Sequence, residues 1–217
     1  MNDNIQRNGN IAMLIAISVM VIISMVLYPS LPDELPRQWG MDGSVNSTWS
    51  KNIAVLVAPA LGLFIWVLTL IIPKIDPHRE SYEKFGAFYM RFRVTLVLFF
   101  VGLHIVTLTQ YNNPEAVIRL IIVGLGMLFM VLGNELGRVR KTWFFGIRTP
   151  WTISDERVWK KTHRVGGRWF VGVGFVSIVL ALILPLEPMF LIVIGGIVAV
   201  SLGLSAYSYM LYRRYNG

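Results

Sequence analysis

His104 falls near the middle of an apolar run at 90–109, and an ionisable group at membrane depth is the first place to look for chemistry. One reading is a proton relay or a polar step in a transport path. The other is a neutral imidazole hydrogen-bonded to a neighbouring helix. The apolar runs offer no second deep ionisable side chain to pass a proton to, which favours the second reading. Asn134, Glu135 and Arg138 form another group, where a fourth run ends, with Arg148 and His163 downstream. A partly buried carboxylate needs a cation, and arginine matches its geometry best. Glu135 is therefore expected to pair with Arg148 or Arg138, unless all three are solvated end charges. Glu135, His163 and Arg148 are also the residues that a membrane enzyme would use at this face. No phosphate-cradling glycine loop, Gly-x-Ser-x-Gly or His-Glu-x-x-His accompanies them. Asp33-Glu34 and Asp155-Glu156 suit turns and caps. The chain has no cysteine, and His78, His104 and His163 lack ligand spacing, so neither a metal nor a cofactor is expected.

These residues are positioned by six apolar runs, at 11–27, 53–72, 90–109, 116–132, 169–184 and 189–209. Each approaches the ~20 residues that a helix needs to cross a bilayer. They are continuous rather than alternating, which selects helices over barrel strands. Mean hydropathy is +0.60, and only 15% of the 217 residues are charged, too few to coat a water-soluble globule. The first run lacks a small-x-small cleavage site and is read as an uncleaved helix.

The net charge of +8 is carried by the connections. One set of alternate connections holds seventeen of the twenty Lys and Arg residues; Arg37, Lys51 and Arg119 make up the other set. Retention of basic loops in the cytoplasm explains this better than nucleic-acid binding, and it places both termini inside. The fold class expected is an all-α polytopic protein with six transmembrane helices. It divides into an N-terminal membrane segment, 1–75, and a second membrane domain, 76–217.

Two connections exceed turns. The first, 28–52, faces outside and combines Pro36, Trp39, Gly43 and Trp49; it is expected to fold as a small cap, with a hairpin as one form. The fourth, 133–168, faces the cytoplasm and bends at Gly146-Ile-Arg148-Thr149-Pro150-Trp151-Thr152. Thr152 and Asp155 have capping-box spacing and open an interfacial helix over 154–168 that feeds directly into the fifth span, with Val158, Thr162, Val165 and Trp169 on an apolar side set in lipid or bundle. The loop tryptophans suit either an aromatic belt or folded loop structure. Glycines 62, 124, 126, 195, 196 and 203 in the spans are read as permitting close helix packing.

Gly133-Asn-Glu-Leu-Gly-Arg-Val-Arg, followed by Phe145-Gly-Ile-Arg-Thr-Pro-Trp-Thr-Ile-Ser-Asp-Glu-Arg-Val-Trp-Lys-Lys-Thr-His-Arg, resembles the signature of the SdpI family of bacterial membrane immunity proteins. Leu31-Pro-x-x-Leu-Pro-x-x-Trp-x-x-x-Gly with the later Trp-Ser-Lys resembles the domain of unknown function that often precedes it. The resemblance implies a multi-pass protein of the bacterial cytoplasmic membrane that protects the cell from a secreted peptide toxin. It also implies a second role, holding a transcriptional repressor at the membrane. On this reading the partners are the lipid bilayer, an extracellular peptide and a cytoplasmic repressor, with no direct nucleic acid and no catalysis. The alternative is a small-solute or ion transporter or channel.

Overall fold

The computed structural model describes residues 3–217 and contains six helices long and apolar enough to cross a membrane. These are α1 (Asp3–Leu27), α2 (Lys51–Ile75), α4 (Gly86–Thr109), α5 (Pro114–Leu136), α7 (Glu156–Ile183) and α8 (Leu186–Asn216). Two short helices, α3 (Arg79–Lys84) and α6 (Pro150–Ser154), lie in the connections. The spans alternate in direction, since the end of α1 at Ser24 meets the start of α2 at Val55 and the end of α4 at His104, and Arg91 near the start of α4 meets Glu135 near the end of α5. The basic connections thus collect at one end of the bundle and the first loop at the other.

That first loop is a two-stranded antiparallel hairpin, β1 (Glu34–Trp39) and β2 (Val45–Ser50), paired from Glu34–Ser50 to Trp39–Val45. Its register slips between Pro36 and Gln38, beside a residue with no N–H to offer the ladder. At the tip, Gly43 takes φ +87°, and Asp42 Oδ1 accepts from the Ser44 amide at 3.0 Å and its hydroxyl at 2.7 Å. These bonds hold the Asp42 carboxyl below its ordinary range.

The helices fall into two groups of three. Met13, Ala16, Met20 and Val97 join α1 and α4, with Ala58 and Ile65 of α2 against them. Ile118, Ile122, Ala181, Met189 and Val193 join α5, α7 and α8. Arg119 ties the hairpin-end corner of the second group. It donates to the Ala181 and Leu184 carbonyls at 2.6 and 2.9 Å, satisfying groups left open where α7 ends.

The fifth span runs longer than hydropathy suggested. Residues 156–168 are the first turns of α7, leading without a break into the fifth span. The expected capping box at Thr152 and Asp155 is also corrected. Thr149 and Thr152 cap α6 reciprocally, while Asp155, extended at φ −128° and ψ 123°, caps α7 by accepting from the Arg157 and Val158 amides. The Arg157 guanidinium beside Asp155 holds its carboxyl well below the usual range. The buried side of this segment carries Val158, Trp159, Thr162 and His163, while Trp169 is exposed. Val158 and Thr162 of the stripe read in sequence are thus packed in the bundle, whereas Trp169 turns away from it.

Candidate functional site

At the hairpin end, Leu35 is the residue that seats the cap. It is 2% exposed and packs with Leu31, Val55 and Leu108 over the ends of α2 and α4. Trp39 reaches the other helix group and packs against its buried cluster of Ile118, Ile122, Ala181, Met189 and Val193. Gly43 lies so close to α8 that a Cβ there would sit 3.1 Å from Leu186 Cδ1. The cap therefore bridges both three-helix groups.

Beneath it is a cavity of about 140 Å³, lined by Pro36, Trp39, Trp49, Leu103 and His104 among others. Three of the four cap residues singled out in sequence thus meet the intramembrane histidine at one cavity, and Gly43 stands apart at the tip. His104 Nε2 lies 2.8 Å from Ser24 Oγ and 3.1 Å from the Met20 carbonyl. Ser24 gives its own proton to the Val55 carbonyl at 2.8 Å, so it accepts from His104, and Nε2 carries the hydrogen. The neighbouring-helix reading of His104 holds, with α1 as the neighbour. Trp39 Nε1 is buried without a partner among the described residues. Arg37 stacks over the Trp49 ring at 5.5 Å, and both line the cavity.

At the opposite end, the fourth connection is held by His163. Its Nε2 accepts from the Ile147 amide at 2.9 Å, and its Nδ1 donates to the Trp159 carbonyl at 2.8 Å, which sets the tautomer. Its ring stacks on Trp159 at 4.0 Å, and Trp159 Nε1 donates to the Val139 carbonyl at 2.9 Å. Gly146 makes the approach feasible at φ +111°, where a Cβ would collide with His163 Nε2. Thr152 Oγ1 donates to the Ile147 carbonyl at 2.9 Å, and Thr149 Oγ1 shares a 2.9 Å bond with Ser208 of α8. Pro150 starts α6, and Trp151 rests against Tyr209 at 5.0 Å. Gly146 thus joins the buried Thr149, Thr152 and His163 in one clasp.

Glu135 pairs with Arg138 at 2.8 Å and with Arg91 at 2.9 Å. Arg148 is not its partner; it lies exposed, 5.8 Å over the Trp143 ring. Asn134 sits beside Glu135 on an open groove.

Two charged groups escaped the sequence reading. Asp76 is 2% exposed and accepts from the His78 amide at 2.7 Å, the Tyr82 hydroxyl at 2.9 Å and the Trp143 amide at 3.0 Å. Burial, and then Asp76, push the Tyr82 phenol upward. The signal was an Asp-Pro step closing a helix. Arg93 falls among the loop charges by position along the chain. It is 2% exposed within α4, donating to Thr69 Oγ1 at 2.8 Å and Asn10 Oδ1 at 3.0 Å. A cation two turns inside an apolar helix was its signal. Asp76→Ala is expected to strand three donors and to cost about 3 kcal/mol of stability, read as a fall in the thermal midpoint of the detergent-solubilised protein. An unchanged midpoint would remove Asp76 as the hub joining the second and fourth connections.

Comparison with known proteins places the two ends separately. Residues 14–63 match a domain of unknown function, DUF1648, and residues 138–208 match the SdpI/YfhL protein family. The immunity protein SdpI of Bacillus subtilis strain 168 is 27% identical over 209 residues, 96% of this chain and 98% of that protein. No solved structure matches. The hairpin with its adjoining helices, and the Gly146–His163 clasp, lie largely in the two matched regions. The chain thus matches the SdpI/YfhL protein family over residues 138–208 and DUF1648 ahead of it over residues 14–63, in a multi-pass membrane protein.

Proposed function

We propose that this is an immunity protein of the bacterial cytoplasmic membrane, acting by binding a secreted peptide toxin at the hairpin cap. The observation that carries the reading is the cavity under the hairpin. It joins Pro36, Trp39, Trp49 and His104, and it has room for about one bulky apolar side chain. A peptide arriving from outside or along the outer leaflet would place such a side chain there. The similarity to a named immunity protein over nearly the whole chain supports the same reading. Both termini then lie in the cytoplasm, in accord with seventeen basic residues at the end opposite the hairpin.

The transport alternative is less favoured. The deep polar groups bond to one another: His104 to Ser24 and Met20, and Arg93 to Thr69 and Asn10. Groups so engaged pack a bundle rather than line a path. At the cytoplasmic face, Trp143 and Phe144 are exposed beside Arg148, which favours a protein partner there, with a transcriptional repressor as the class implied.

The test is expression in a bacterium killed by a peptide toxin of this kind. The intact protein should restore growth. Trp39→Ala, at equal membrane abundance, should lose about tenfold or more of the tolerated toxin dose, as truncating an aromatic anchor costs 2 kcal/mol or more. Equal protection by both proteins would remove the cap as the binding site.

A further inference from the structure

The two three-helix groups meet along α4 and α5, and the seam between them is open. At the end near Arg91 it widens into a furrow of about 790 Å³, flanked by Phe88, Arg91, Asn134 and Glu135. A second furrow, of about 340 Å³, runs on between Leu98, Gly102, Gly124 and Met127. Thr95 and Val131 line both, so they form one groove. Nothing lies within 4 Å of a Cβ built on Gly102.

Charge at the groove's mouth is unbalanced. Arg91 and Arg138 donate to the same oxygen, Glu135 Oε2. Two guanidiniums share one carboxylate, and their side chains are 53% and 67% exposed against 14% for the acid. Most of their N–H groups remain available to an anion. From Arg91 to Gly102 the helix advances about 16 Å, half of a ~30 Å hydrocarbon core. That is the depth of one leaflet.

We propose that this groove is a binding site for an anionic phospholipid. Its phosphate sits on Arg91 and Arg138, and one acyl chain lies along Thr95, Leu98 and Gly102 toward the middle of the membrane. The site is independent of the toxin reading, because it lies at the other end of the bundle and uses none of the cap residues. A lipid wedge here would fill the seam between the two groups of helices and fix their separation.

The test is native mass spectrometry of the full chain in detergent, titrated in parallel with dioleoyl phosphatidylglycerol and dioleoyl phosphatidylcholine. The anionic lipid should be retained at least about fivefold better, the contribution of one arginine near a charged headgroup. Arg91→Gln should bring the two lipids to parity. Glu135→Gln frees both arginines and should widen the preference, so the proposal stays testable if Arg91→Gln folds poorly. Gly102→Leu should weaken retention of both lipids by filling the groove. Equal retention of the two lipids by the unaltered protein would overturn the proposal. So would a protein dimer in place of the lipid adduct, which would make a second copy the occupant.

Discussion

Replacing Gly133 with alanine is expected to separate α5 from α7 and to leave little folded protein in the membrane. A Cβ at Gly133 would lie 2.6 Å from the Gly167 carbonyl oxygen and 2.8 Å from both Phe170 Cβ and the Val171 amide nitrogen. None of these atoms is the end of a flexible side chain, so only backbone movement relieves the overlap. The contact is paired: two turns away, a Cβ at Gly126 would lie 2.6 Å from the Gly174 carbonyl. In lipid, helices gain little from hiding apolar surface from one another, and close backbone approach is what makes them associate. Pushing the seam apart loses contact along its length, beyond the ~1–3 kcal/mol typical of one extra methyl in a packed core. The measurement is a thermal midpoint by fluorescence-detected size exclusion. Gly195→Ala serves as the control, since nothing lies within 4 Å of its added Cβ. Equal midpoints for the two variants would remove the seam as the main joint of the second helix group.

Gly146→Ala is expected to open the fourth connection while leaving the spans in place. The substitution meets two obstacles at once. At φ +111° a side chain strains the backbone by about 1–3 kcal/mol. The new Cβ also collides with His163 Nε2 and lies 3.0 Å from the Trp159 ring. Relief requires the Ile147 amide to leave His163, which strands a donor and an acceptor at the clasp. His163→Ala should produce the same opening by deleting the acceptor. The readout is limited trypsin cleavage. Arg138, Arg140, Lys141 and Arg148 lie in the segment that would loosen, and cutting there should accelerate at least tenfold in both variants. A cleavage pattern matching the parent protein would show that the clasp is dispensable for the loop.

The two predictions differ in how far sequence reasoning reached them. Gly126 was read as a packing glycine, and it is one; Gly62 and Gly203 also face side chains at about 2.8 Å, those of Met20 and Trp169. Gly195 and Gly196 were read the same way, yet they face open space. Gly133 falls in the fourth connection by hydropathy, because α5 continues beyond the apolar run. Hydropathy finds where a helix is greasy, whereas the hydrogen-bonded ladder runs on until a cap or an extended residue stops it. The same reasoning accounts for residues 156–168, which join α7 because Asp155 rather than the lipid boundary sets its start.

Pairings were harder to read than positions. Glu135 had two candidate cations in sequence, and it takes one of them, Arg138, together with Arg91 from another helix. Arg148 turned instead to Trp143. Asp76 drew no notice, because its three donors include two main-chain amides, which carry no residue-type signal.

What the chain's order of residues determined alone was the number of membrane helices, the collection of basic residues at one end and the placing of two folded loops at opposite ends. Each follows from the free energy of a segment in lipid or water, which depends on composition along the chain. What only the tertiary structure decided was who meets whom: His104 with Ser24, Pro36 and Trp49 over one cavity, Asp76 with Trp143, and α4 with α5 along a grooved seam. Those meetings depend on the rotation and tilt of packed helices, and a few tenths of an ångström at a glycine settle them.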